Sequence, residues 1–191
     1  MESRWWWFWI SNLDRLEEYL NTVRETESRM IDITKNKLTV TTPNDLEFVL
    51  NREFNAPREL VFDAVSKAEH VRQWYGCTDS KLTTCEIDFR VGGAYRFVTV
   101  MKDQECPMTG VYQEIVRPER IVHTEIYDVE PYRNYPSLVT LVLEDLGGRT
   151  SYTATVRHQS KEMRDGHLNS GVEVGAGQCY DRLEAFLETQ K

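Results

Sequence analysis

The chain has 191 residues, 40% of them hydrophobic, enough for one domain of average size plus an extension, with a core that needs no covalent staples. A formal net charge of −8, with no basic cluster to offset it, argues against non-specific affinity for nucleic acid or an anionic lipid surface. Four cysteines (Cys77, Cys85, Cys106, Cys179), none in C-x-x-C spacing, fit buried thiols in a reduced, cytoplasmic chain better than a disulfide framework.

The N-terminus stands apart. Trp5-Trp6-Trp7-Phe8-Trp9-Ile10 is an apolar block too short to span a bilayer, without the length or cleavage site of a signal peptide. Ser11, with Asp14 three residues on, caps a helix in which Leu13, Leu16, Leu20 and Val23 recur at three- and four-residue spacing as far as Glu27. Residues 1–30 therefore read as an extension, and residues 31–191 as the main domain. Three roles fit the extension. It docks on the main domain or on a second copy, it rests in a membrane interface where tryptophan is favoured, or it is upstream sequence ahead of a functional start at Met30. Its glutamates weigh against the membrane role.

From Asp32 the signals are those of strands. Lys37 to Thr42 alternates β-branched and polar residues, Pro43-Asn44-Asp45 turns, and Leu46 to Phe54 resumes an extended pattern. Pro57 sits near the start of a helix over Arg58 to Ser66, and a second helix over Ala68 to Trp74 ends at Gly76. Six strand-like runs follow: Thr83–Phe89, Ala94–Lys102, Met108–Val116, Arg120–Asp128, Ser137–Glu144 and Thr150–His158. Turn residues at Gly92-Gly93, Asp103-Gln104, Pro118-Glu119, Pro131 to Pro136 and Gly147-Gly148 separate them at hairpin spacing, which predicts an antiparallel meander. Ser160 caps a short helical segment over Lys161 to Asp165. A long amphipathic helix closes the chain over Ser170 to Glu188. Its apolar stripe is lean at first (Val172, Ala176, Cys179, with Gly171 and Gly175 at the margin) and bulky later (Leu183, Phe186, Leu187). Each interior glycine costs about 1 kcal/mol of helix propensity. The lean half therefore points either to close packing or to a space left beneath it.

Several local motifs, in order, carry a resemblance. They are Phe54-Asn55-Ala56-Pro57 with Val61-Phe62, Trp74-Tyr75-Gly76, and Asp88-Phe89-Arg90-Val91-Gly92-Gly93-Ala94-Tyr95-Arg96. Gly110 to Ile115, Pro118 to Val122, Thr124-Glu125, Ser170 to Glu173 and Tyr180 to Leu183 continue the series. Together they resemble the activator of heat-shock-protein-90 ATPase homologue family, of the START-like (SRPBCC) superfamily, over Leu46 to Leu187. The resemblance implies an α+β helix-grip fold, in which a curved antiparallel sheet wraps around the C-terminal helix. The larger domain that eukaryotic co-chaperone activators carry ahead of this module has no counterpart here, which counts against ATPase activation.

Strand parity then proposes the faces beneath the helix. Tyr95, Phe97, Thr99 and Met101 share one, and Gly110, Tyr112 and Glu114 another. Val122, Thr124 and Ile126, then Val139, Leu141 and Leu143, then Tyr152, Ala154 and Val156 supply three more. Residues alone leave a solid core and a pocket both open. The superfamily resemblance favours a pocket for a small hydrophobic molecule, with Trp74, Tyr95, Phe97, Tyr112, Glu114, Thr124, Ile126, Leu141, Tyr152, Val172, Ala176 and Cys179 as candidate ligand-binding residues. On this parity His123 and Glu125 face outward. No histidine (His70, His123, His158, His167) falls in a metal-ligand spacing, and no phosphate-binding or nucleophile motif is present, so neither metal nor cofactor is expected. Glu114 is the single catalytic candidate, as a carboxyl whose pKa burial would raise. Binding a small hydrophobic ligand is the first functional reading. A chaperone co-factor or other protein-interaction module, and a polyketide-cyclase-like enzyme using Glu114 and Tyr112, are the alternatives.

Overall fold

The computed structural model describes residues 37–191, so the Trp-rich block and the helix expected over residues 11–27 lie outside the described residues. Leu38–Lys191 forms one compact unit. Its strands are β1 (Thr39–Thr41), β2 (Glu47–Phe54), β3 (Lys81–Ile87), β4 (Ala94–Met101), β5 (Gln104–Val116), β6 (Arg120–Tyr127), β7 (Ser137–Asp145) and β8 (Thr150–Arg157). They form one antiparallel sheet in the order β1-β2-β8-β7-β6-β5-β4-β3. Each consecutive pair from β3 to β8 is a neighbour, as hairpin-spaced turns require, and β2 closes the row against β8. The helix-grip α+β fold is what the structure shows. Helices α1 (Arg58–Ser66) and α2 (Ala68–Trp74) bridge β2 and β3, while α3 (Lys161–Asn169) and α4 (Val172–Glu188) follow β8.

Alternation decides which side chains enter the core. Phe48, Leu50, Arg52 and Phe54 on β2 are buried, as are Val139, Leu141 and Leu143 on β7 and Tyr152, Ala154 and Val156 on β8. Trp74 Nε1 donates to the Ala64 carbonyl at 2.9 Å, tying α2 to α1. Gly92 adopts φ +81°, and a Cβ on Gly93 would fall 2.0 Å from the Asp88 carbonyl oxygen, so the β3–β4 turn requires glycine at both positions. The turn docks on β5 through Tyr112 N to the Gly93 carbonyl, 2.9 Å. Asp88 and Arg90 pair at 2.9 Å on the exposed surface.

Two expectations are corrected. The C-terminal helix does not run unbroken from Ser170. It begins at Val172, after Gly171 turns the chain at φ +89°, a left-handed conformation that side chains oppose. Gly171 is thus a hinge between α3 and α4 and not a small residue inside a helix. The β4–β5 turn is centred one residue earlier than expected, on Lys102 and Asp103, both at positive φ (49° and 63°).

Candidate functional site

The second half of α4 is anchored. Leu183 and Leu187 are fully buried, Arg52 on β2 reaches Asp181 at 2.6 Å, and the Asn55 N–H donates to Glu184 at 3.3 Å. The first half is held differently, by the loop that follows α2. Thr78 N donates to Gln178 at 3.1 Å and Gly76 N approaches Cys179 Sγ at 3.4 Å, while Arg182, at the start of the second half, donates to the carbonyls of Gly76 (3.3 Å) and Cys77 (3.1 Å) of the same loop. Between these attachments and the sheet lies a cavity of about 420 Å³. Its volume falls in the range typical of small-molecule sites, roughly 300–1,000 Å³.

The walls are mostly aromatic. Tyr75 and Phe97 have ring centroids 4.7 Å apart, Tyr95 lies 5.0 Å from Phe97 and 5.5 Å from Tyr112, and Tyr152 lies 5.0 Å from Tyr180. Tilted and edge-on contacts of this kind hold the rings against one another around the space. A Cβ on Gly110 would fall 2.5 Å from the Tyr95 ring, so a glycine there is what lets that ring lie across β5. Of the residues expected to line a pocket, Trp74, Tyr95, Phe97, Tyr112, Leu141, Tyr152, Val172, Ala176 and Cys179 do border the cavity.

Three residues do not border it, and sheet register explains why. Tyr112 pairs with His123, but the next pair is Glu114 with Val122, because β5 carries a bulge between Tyr112 and Glu114. The extra residue inverts the parity, so Glu114 points out to solvent. It is 47% exposed and pairs with Arg120 at 3.5 Å. Glu114 therefore stands outside the cavity, in solvent, and is not placed to act on a molecule bound there. On β6 the expected parity is reversed. Ile121 pairs with Leu141 and His123 with Val139, which places Ile121, His123 and Glu125 on the cavity side. Thr124 and Ile126 lie on the other face, in a groove with Glu86, Arg96 and Val111, where Thr124 Oγ1 accepts from Val111 N at 3.0 Å.

The residues the parity argument put outside are the polar ones inside. His123 Nδ1 lies 3.2 Å from the Tyr95 hydroxyl, which also donates to the Thr124 carbonyl at 3.1 Å. Burial lowers the proton affinity of His123, so it is neutral near pH 7. Among the described residues, Glu125 is the one carboxylate bordering the cavity, and no side chain hydrogen-bonds or ion-pairs with it. The residue is half-buried, with the hollow on one side and protein packed around the rest. Burial pushes its carboxyl up to about 7. The four hydroxyls of Tyr75, Tyr95, Tyr152 and Tyr180 are raised mainly by burial, and the Glu125 carboxylate adds to the shift at each. These four phenols and the carboxylate share one interior. The sequence did hold one pointer to it, since Thr124-Glu125 stands among the motifs that carry the family resemblance.

The family model described as "Activator of Hsp90 ATPase homolog 1-like protein" matches residues 55–188. The chain belongs to that family. No curated protein matches the sequence. A solved protein from Rhodobacter sphaeroides is 22% identical to this family member, with a TM-score of 0.74 over 81% of this chain and 100% of its own. One from Mycobacterium smegmatis is 19% identical, with a TM-score of 0.71 over 78% and 96%. One from Silicibacter pomeroyi described as an AHSA1 protein is 22% identical, with a TM-score of 0.63 over 76% and 99%. At these identities the likeness establishes the fold of this family member. Among the described residues, no helix is long and apolar enough to cross a membrane, and no group of three or more His, Cys, Asp or Glu could hold a metal ion.

Proposed function

We propose that this family member binds a small or medium-sized, largely apolar molecule between the concave face of the sheet and the first half of α4. The observation that carries the reading is the cavity of about 420 Å³, walled by aromatic and aliphatic side chains and holding a carboxyl with no partner among the described residues. Apolar walls supply affinity through removal of surface from water, and a few converging polar groups orient the bound molecule. Protein purified from its own host retains a non-covalent adduct of defined mass in native mass spectrometry, and the adduct is lost on unfolding. Ala176→Leu, which places three more carbons in the cavity, removes the adduct. It costs less stability than the about 1–3 kcal/mol of overpacking a filled core. No adduct, together with no thermal shift across lipids, phenolics and polyketides, would falsify the reading.

One observation favours a second reading, a cyclase-type enzyme acting on the molecule bound there. A carboxyl with a pKa of about 7, facing the cavity beside the Tyr95–His123 pair, has the proton affinity that general acid–base work needs near neutrality. Under this reading Glu125 takes the role first considered for Glu114. Conversion of a bound polyketide by wild-type protein but not by Glu125→Gln, with both retaining the molecule, is the result expected. Equal turnover by the two proteins excludes Glu125.

A further inference from the structure

The cavity carries an electrostatic signature that narrows its ligand. Its border includes one carboxylate and, among the described residues, no lysine or arginine. The nearest guanidinium on the roof, Arg182, is turned to the carbonyls of Gly76 and Cys77. Arg52, the buried guanidinium of β2, is taken by Asp181. Among the side chains on the border, Glu125 supplies the formal negative charge and the surrounding ring faces are electron-rich. An anionic headgroup such as a fatty carboxylate would meet repulsion there with no cation to receive it. A neutral apolar molecule would leave the carboxyl buried without a partner, which costs free energy. A positive group would gain from both features, because cations are attracted to aromatic faces and to an unpaired carboxylate in a poorly hydrated space.

We infer that the ligand is an amphiphilic organic cation, an alkyl or aryl ammonium whose charged nitrogen sits against Glu125 among the rings of Tyr75, Tyr95, Tyr152 and Tyr180 and whose apolar part fills the space below α4. The inference rests on the ligand-binding reading and adds the chemical class. Charge recognition requires Glu125 to be ionised, so cation binding strengthens as the carboxyl loses its proton. The other titratable groups on the cavity border are placed as follows. Tyr75 follows α2, Tyr95 and Tyr112 lie on β4 and β5, Tyr152 on β8, and Tyr180 on α4, all with raised pKa. His123 on β6 and His167 on α3 are lowered, Cys179 on α4 is pushed up to about 11, and Cys77 and Cys106 complete the set.

The test compares octyltrimethylammonium, octylamine, octanol and octanoate by isothermal titration calorimetry on the full chain. At pH 8 both cations bind at least tenfold more tightly than octanol, and octanoate binds more weakly still. Between pH 6 and pH 8 the affinity for octyltrimethylammonium, whose charge is permanent, rises roughly tenfold, as ionisation of a carboxyl with pKa about 7 requires, while octanol affinity stays flat. In Glu125→Gln the preference for cations and its pH dependence both disappear, and octanol still binds. Equal or better binding of octanol or octanoate overturns the cationic assignment and leaves the apolar-ligand reading standing. So does a cation preference that survives in Glu125→Gln. Failure of all four probes to bind overturns both.

Discussion

The two halves of α4 rest on different ground. From Asp181 to Leu187 the helix presses buried side chains into a filled core and is tied to β2 through the Arg52–Asp181 pair. From Val172 to Cys179 the same helix presents small side chains to a hollow and is held mainly by hydrogen bonds to the loop after α2. Stability and binding are thereby separated along one element. The filled half supplies the burial that keeps α4 in place, and the lean half can cover a cavity without having to close it.

This division makes measurable claims. The largest effect is expected in the filled half. Leu183 is fully buried, so Leu183→Ala should cost about 2–5 kcal/mol in urea unfolding. A cost near that of an exposed truncation would show that the anchor lies elsewhere.

Next comes the open half, through pH. The folded-state pKa of Glu125 lies near 7, above its ordinary 4.5, so the native protein holds the proton more tightly than the unfolded chain. Stability from this group is therefore greatest at low pH, falls as pH rises from about 4.5 to about 7, and stays low above that. Glu125→Gln should accordingly be more stable than wild type at pH 8, by up to about 3 kcal/mol, with the gap fading by pH 5. His167 has the opposite sign. Burial lowers it from 6.5 to about 4, so its contribution is full above 6.5 and is lost as pH falls through about 4. The difference between variant and wild type, measured by chemical denaturation across pH 5 to 8, isolates Glu125.

The smallest effects come from two glycines near the same end of α4. Gly177 lies inside the helix with open space where a Cβ would go, so Gly177→Ala should gain about 0.5–1 kcal/mol. Gly171 holds φ +89°, so Gly171→Ala should cost about 1 kcal/mol or more despite equally open surroundings. Thermal melts of the two variants moving in the same direction would contradict the hinge assigned to Gly171.

Most of the fold was legible before any coordinates, and the site was legible in part. Turn chemistry at Gly92-Gly93 and Gly147-Gly148, and alternation along β7 and β8, mark strand ends and inward faces by rules that act within a few residues. The cavity-side residues of β4, β7, β8 and α4 follow from those rules. Strand β6 does not. Ile121 and Val122 are adjacent and both apolar, Ile126 lies on the opposite parity from Ile121, and His123 and Glu125 look like solvent-facing residues. Local pattern then selects the wrong face. In β5, the run Tyr112-Gln113-Glu114-Ile115 gives no sign of the bulge that turns Glu114 out and Ile115 in.

By itself the sequence determined the order of the elements, the antiparallel meander, the contrast along the last helix and the membership of a family, because each is written in short-range periodicity or in ordered motifs. Only the tertiary structure decided that Glu125 and His123 face the hollow while Glu114 and Thr124 do not. A strand turns over completely when its register shifts by one residue, and register is set by the neighbours it pairs with, β5 on one side and β7 on the other.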